Sequence, residues 1–260
     1  MAQIATSKFI AHLQSLYPNG EQSVVQSRWY LLAVVAFSAS NLPDAIPLVF
    51  QYALEELKRE GARKEADMHR DQIALARRFR EAIFRGGMLT GYARAINSLV
   101  ALHEAMPDDL KDTQTLRSAF TLLHIKPGKR VKNTDTVALR DTELSMQEYS
   151  ENGRKLFESM YGDNAQSVQG LLDNIHPDMG WFSNTIAYGI VYGAPGVLTP
   201  IEVSFVMGAA NVAMECPKQA GWHLDNSLRA GASPQEVAAV RNTATDVLKA
   251  AKGLSREDAF

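Results

Sequence analysis

The feature that most constrains this chain is the near absence of strand-like alternation. Apolar residues recur at three- and four-residue intervals, and Ala and Leu far outweigh β-branched clusters in the long segments. That is the pattern of helices packed on one another. Helices are expected at about 5–16, 25–40, 44–60, 66–86, 90–105, 112–123, 144–159, 164–174, 178–191, 200–214, 217–230 and 234–252. An all-α fold follows. With 260 residues, 46% of them hydrophobic, the chain can bury a sizeable core.

The same composition sets aside several functions. A formal net charge of −2 offers no basic surplus for nucleic acid. The most apolar stretch, Leu31 to Phe37, is far shorter than the roughly 20 residues a bilayer helix needs, so no membrane partner is expected. Cys216 is the single cysteine, which excludes an internal disulfide and an all-cysteine metal site. No metal or nucleotide signature is present, so neither a metal nor a cofactor is expected. Met1 to Leu16 carries Lys8 as its one formal positive charge and no acidic residue. It lacks the plan of a secretory signal; cytosol is the default expectation, with a mitochondrial presequence as the alternative.

Two helix starts are spelled out. Thr199-Pro200-Ile201-Glu202 supplies an N-cap, proline at the first helical position and a capping-box glutamate, and Ser233-Pro234-Gln235-Glu236 repeats it. Gly231 stands where a helix ending near Ala230 wants a left-handed residue. Between Ile125 and Asp141 the sequence turns polar and basic around Pro127-Gly128, which reads as a linker or an ordinary surface loop. The chain thus divides into residues 1–124, a linker at 125–143, and a core at 144–260. Placing Pro43 over Pro217 aligns Trp29–Ser40 with the helix from Val203, and Asp44–Glu56 with the helix carrying His223. A tandem pseudo-duplication is expected on that ground, with the first copy degenerate: Val49 and Leu42 occupy the positions of His223 and Cys216.

The most suggestive stretch for chemistry is Cys216-Pro217-Lys218-Gln219-Ala220-Gly221-Trp222-His223. On a helix, Cys216, Gln219, His223 and Asn226 fall on or near one face. An imidazole flanked by amides one turn away suits a general acid or base. The plainer reading is a half-buried histidine satisfied by packing. Arg77, Arg78, Arg80 and Arg85 with Glu81 read as a solvated or intersubunit ion-pair face, or as a grip for a carboxylate. Gly86-Gly87 through Tyr92 reads as a helix stop and restart.

The run from Leu198 through Val240 resembles the carboxymuconolactone decarboxylase and alkyl hydroperoxidase D-like family. The matching residues are Glu202, His223, Ala230, Gly231, Ala232, Ser233, Glu236 and Val237. Tyr188-Gly189 to Pro195-Gly196 is similar to the family's approach to that core. The resemblance implies one of two chemistries. In the peroxidase branch Cys216, His223 and Glu202 would form a thiol relay. Here Gln219 replaces the second cysteine, and Glu202 lies about two residues off the expected spacing. In the lyase branch a cofactor-independent enzyme would decarboxylate or isomerise a small carboxylated or carbonyl-bearing compound. His223 would then be the proton donor, while Gln219, Trp222 and Asn226 shape the substrate pocket. Glu202 has a rival role as a helix cap. The resemblance further implies a homo-oligomer, a dimer or trimer of this chain. A third reading keeps the fold as a non-catalytic assembly protein.

Overall fold

A computed structural model describes residues 4–18, 23–60, 64–111, 140–141 and 143–255, and among these no strand occurs. The helices are α1 Ser7–Ser15, α2 Trp29–Ala39, α3 Ala45–Arg59, α4 Glu65–Thr90, α5 Tyr92–Ala105, α6 Met146–Tyr161, α7 Ala165–Ile175 and α8 Met179–Phe182. A π-helix, Ser183–Tyr192, follows directly, and then α9 Pro200–Ala213, α10 Pro217–Arg229 and α11 Pro234–Ser255. The expected helix at 112–123 and most of the linker lie outside the described residues.

Two helices form the centre. Every residue of α2 is buried, and α9 is buried along nearly its whole length. A helix apolar all round belongs inside a protein or a bilayer, and α2 is too short to cross one. No described helix is long and apolar enough to cross a membrane. Each central helix packs on the other; α2 packs on α4 and α11, and α9 on α11 and α4. The turns that leave them also correspond. Ser40 N donates to Ala36 O (2.9 Å) and Leu42 N to Phe37 O (3.0 Å); Met214 N donates to Ala210 O (3.0 Å) and Cys216 N to Asn211 O (2.9 Å). Asn41 and Glu215, at paired positions, take φ of 58° and 57°. These are the left-handed residues that close each helix.

Two expectations about helix ends need correction. The stop and restart expected over Gly86 to Tyr92 forms at its far end: α4 runs through Gly86-Gly87 to Thr90, Gly91 takes φ 100°, and α5 starts at Tyr92. The glycines are there for contact. A Cβ on Gly87 would stand 2.5 Å from Ala95 Cβ on α5, and one on Gly86 3.2 Å from Val35 on α2. The helix expected at 178–191 does form, but from Ser183 onward it winds as a π-helix. Its backbone lies against that of α6, since a Cβ on Gly153 would fall 1.8 Å from Asn184 O and one on Gly189 2.3 Å from Tyr149 O. Wide helical turns of this kind often mark functional segments.

Candidate functional site

His223 sits in the middle of α10 and faces inward; it is 4% exposed. Pro217 at the first turn sets the helix going, and Ala220, Leu224, Asn226 and Ser227 share the buried side. Gln219 lies on the exposed side, so the face expected to unite Cys216, Gln219, His223 and Asn226 divides. Trp222 is half-buried. Tyr161, the last residue of α6, links the two rings: its centroid lies 6.2 Å from His223 and 6.4 Å from Trp222. Behind it the Tyr188 hydroxyl donates to that of Tyr161 at 3.2 Å, and Phe157 and Tyr192 complete the aromatic cluster.

Burial without a charged partner pushes the His223 imidazole down to about 4, so it is neutral at physiological pH. Its Nδ1 has no hydrogen-bond partner, and neither does the Nδ2 of Asn226, one turn further on. Asn226 Oδ1 is engaged, accepting from Arg229 at 2.8 Å. A buried donor and a buried ring nitrogen left unpaired on one turn are uncommon in folded proteins. A ligand carrying complementary polar atoms would satisfy both.

Glu202 stands elsewhere. Its Oε2 accepts from Thr199 N at 2.8 Å, closing the capping box, while Oε1 accepts from Arg78 at 2.7 Å and from Arg28 at 3.4 Å. Burial raises its pKa, but Arg78, Thr199 and Arg28 together hold the carboxyl below its ordinary value. Glu236 divides its oxygens in the same way, one on Ser233 N and one on Arg28 and Tyr17. Both carboxylates of Glu202 and Glu236 are thus committed to arginines and caps.

Cys216 forms the N-cap of α10, and its Sγ donates to Met214 O at 3.7 Å. It lines an open cleft of about 520 Å³ together with Arg94, Glu215 and Lys252. His223 lines neither this cleft nor a second one, of about 420 Å³, beside the π-helix. Among the described residues no group of three His, Cys, Asp or Glu is placed to hold a metal.

Arg78 and Arg85 on α4 depart from the reading of a solvated face, whereas Arg77 is exposed as expected. Arg85 is 1% exposed, pairs with Glu81 at 2.7 Å, and donates to Tyr192 O (2.7 Å) and Ala194 O (2.6 Å). Arg78 grips Glu202 and also reaches Val197 O at 3.3 Å. The carboxylates they bind are the protein's own. Tyr161 and Tyr192 were missed from sequence; the four-residue interval from Tyr188 to Tyr192 was the available signal.

Residues 177–253 match the sequence profile described as the carboxymuconolactone decarboxylase family. "Peroxisomal protein 2" of Saccharomyces cerevisiae is 26% identical, over 94% of this chain and 94% of its own length. "Peroxisomal protein 2" of Schizosaccharomyces pombe is 29% identical, over 85% of each. No solved structure matches the chain.

Proposed function

We propose that this chain, whose residues 177–253 carry a carboxymuconolactone decarboxylase family segment, is a cofactor-independent isomerase or lyase acting on a small carbonyl-bearing compound. The observation that carries this reading is the pair of buried, unpartnered polar atoms, His223 Nδ1 and Asn226 Nδ2, one turn apart on α10. A neutral imidazole accepts a proton rather than supplying one from an imidazolium, so His223 is assigned as a general base. It would take a proton from the carbon next to the substrate carbonyl. The C–H electron pair moves toward the carbonyl oxygen, and the Asn226 amide donates to the enolate. Return of the proton to another carbon isomerises the substrate; in a carboxylated one the bond to the carboxylate breaks, its electron pair passes into the same enolate, carbon dioxide leaves, and a proton from water completes the product.

The test is deuterium exchange from solvent into a panel of small ketones and lactones, followed by NMR. His223→Gln should abolish exchange while the circular dichroism spectrum stays unchanged; full exchange in that variant would overturn the assignment. The closure of the site favours a second reading, an assembly protein without turnover, which predicts no exchange in either protein. The thiol-peroxidase reading gains less support, because Cys216 lines a different cleft and contacts a main-chain carbonyl.

The names of the two relatives support residence in the peroxisome instead of the cytosol. The matching turns after α2 and α9 support a degenerate first copy in residues 1–124, joined through 125–143 to the core at 144–260. Exposed Ile175, Met179, Trp181 and Phe182 support self-association through α7 and α8, since isolated monomers rarely leave such a cluster to water.

A further inference from the structure

The cleft beside the π-helix has the character of a built site. It is bounded by α6 through Asn152 and Leu156, by the end of the π-helix at Tyr192, by the loop 193–199, and by Val203 on α9. Its volume, about 420 Å³, falls in the range of small-molecule sites and is too small for a helix. Its lining is mostly apolar, and no charged residue is among the residues that line it.

Two further observations set it apart from an ordinary surface crevice. The first is the effort spent on holding the loop still. Irregular backbone is normally satisfied by water at the surface. Here buried Arg85 takes the carbonyls of Tyr192 and Ala194, Arg78 takes that of Val197, and Glu202 takes the amide of Thr199. Arg140 adds the carbonyls of Ile190 and Val191 at the end of the π-helix. Ion pairs inside a protein are costly to desolvate, and these hold the main chain of one wall in one shape. The second is Tyr192 itself. It is 3% exposed, lines the cleft, and its hydroxyl is buried with no partner. Burial keeps that hydroxyl protonated and closes its oxygen off from the cleft, so the ring alone forms the wall. Tyr192 also packs edge-on against Tyr188, 5.4 Å between centroids, which makes it the shared wall between the cleft and the ring cluster around His223.

We infer that this cleft binds a small, uncharged, largely apolar molecule, whose polar end meets the Asn152 amide at the rim. A free carboxylate is disfavoured there, because no cation lines the wall to offset its loss of water. This site does not require His223 to be catalytic.

The probe is γ-nonalactone, a neutral cyclic ester with an alkyl tail, titrated into the full chain by calorimetry and saturation-transfer NMR. Nonanoate serves as the charged counterpart. The lactone is expected to bind saturably and nonanoate at least ~tenfold more weakly. Asn152→Trp, at an exposed helix position, covers the cleft and should weaken the lactone by ~tenfold or more. His223→Gln should bind as the wild type does, whether or not it turns anything over. Absence of saturable lactone binding overturns the inference. So does equal affinity for nonanoate, or binding that survives Asn152→Trp but not His223→Gln.

Discussion

Replacing His223 with glutamine should flatten the acid limb of the stability profile. In the unfolded chain the imidazole titrates near 6.5, and in the fold burial holds it down to about 4. Between those values the unfolded state binds the extra proton, so wild-type stability falls as pH drops through that window. Below the folded value the penalty is complete. The full effect is about 3 kcal/mol, of which about 2 kcal/mol is already lost at pH 4.5. Urea unfolding at pH 7 and pH 4.5, read by circular dichroism, gives the quantity directly. Glu202 and Glu236 also lose stabilising partnerships on acidification, since both are held below their ordinary values. Those contributions are common to both proteins and cancel in the difference. His223→Gln should therefore lose about 2 kcal/mol less than wild type over that interval. Equal losses would mean that the imidazole is not buried and neutral, and the proposed base would lose its footing.

Other perturbations test the frame around the site. Gly153→Ala puts a methyl group into Asn184 O and should cost about 3 kcal/mol or more in chemical denaturation, with a loss of near-ultraviolet ellipticity from the tyrosine cluster. Arg78→Met leaves the buried Glu202 carboxylate short of its main partner, and should cost about 3–5 kcal/mol near neutral pH. Replacing both Arg78 and Glu202 by apolar residues should recover much of that. Trp181→Asp places a charge in the exposed cluster of α7 and α8; sedimentation should show a smaller species than wild type, and an unchanged distribution would remove that face as an interface.

How far the sequence reached is clearest at α9. Thr199, Pro200 and Glu202 announce the helix start, and both halves of the capping box form. Local chemistry of that kind is complete within four residues. The second duty of Glu202, gripping Arg78 and Arg28, depends on helices far away in the chain and leaves no local trace. Arg85 is the sharper case. Its neighbours Arg77, Arg78 and Arg80 make the segment look solvated, yet it is buried because the loop after the π-helix presents carbonyls to it. Gly86-Gly87 misleads for a related reason, since a glycine demanded by close packing looks like one demanded by a turn. That His223 and Asn226 share one buried face of α10 was legible from spacing, whereas the outward turn of Gln219 depends on how α10 is rotated against its neighbours. The π winding was not legible at all, because helical periodicity does not reveal a shift of the bonding pattern.

The arginines that hold the loop 193–199 do so by its carbonyl oxygens. Every amino acid has that oxygen, so the grip does not depend on which side chains the loop carries. Shape and chemistry are consequently separable along this wall. Val197 and Leu198 can be exchanged for other residues of fitting size while the backbone keeps its course. The side chains of this wall can then change without the folding problem being solved again. The same freedom is open to design: the loop is a place to rewrite preference, provided Arg78, Arg85 and their carboxylates stay as they are.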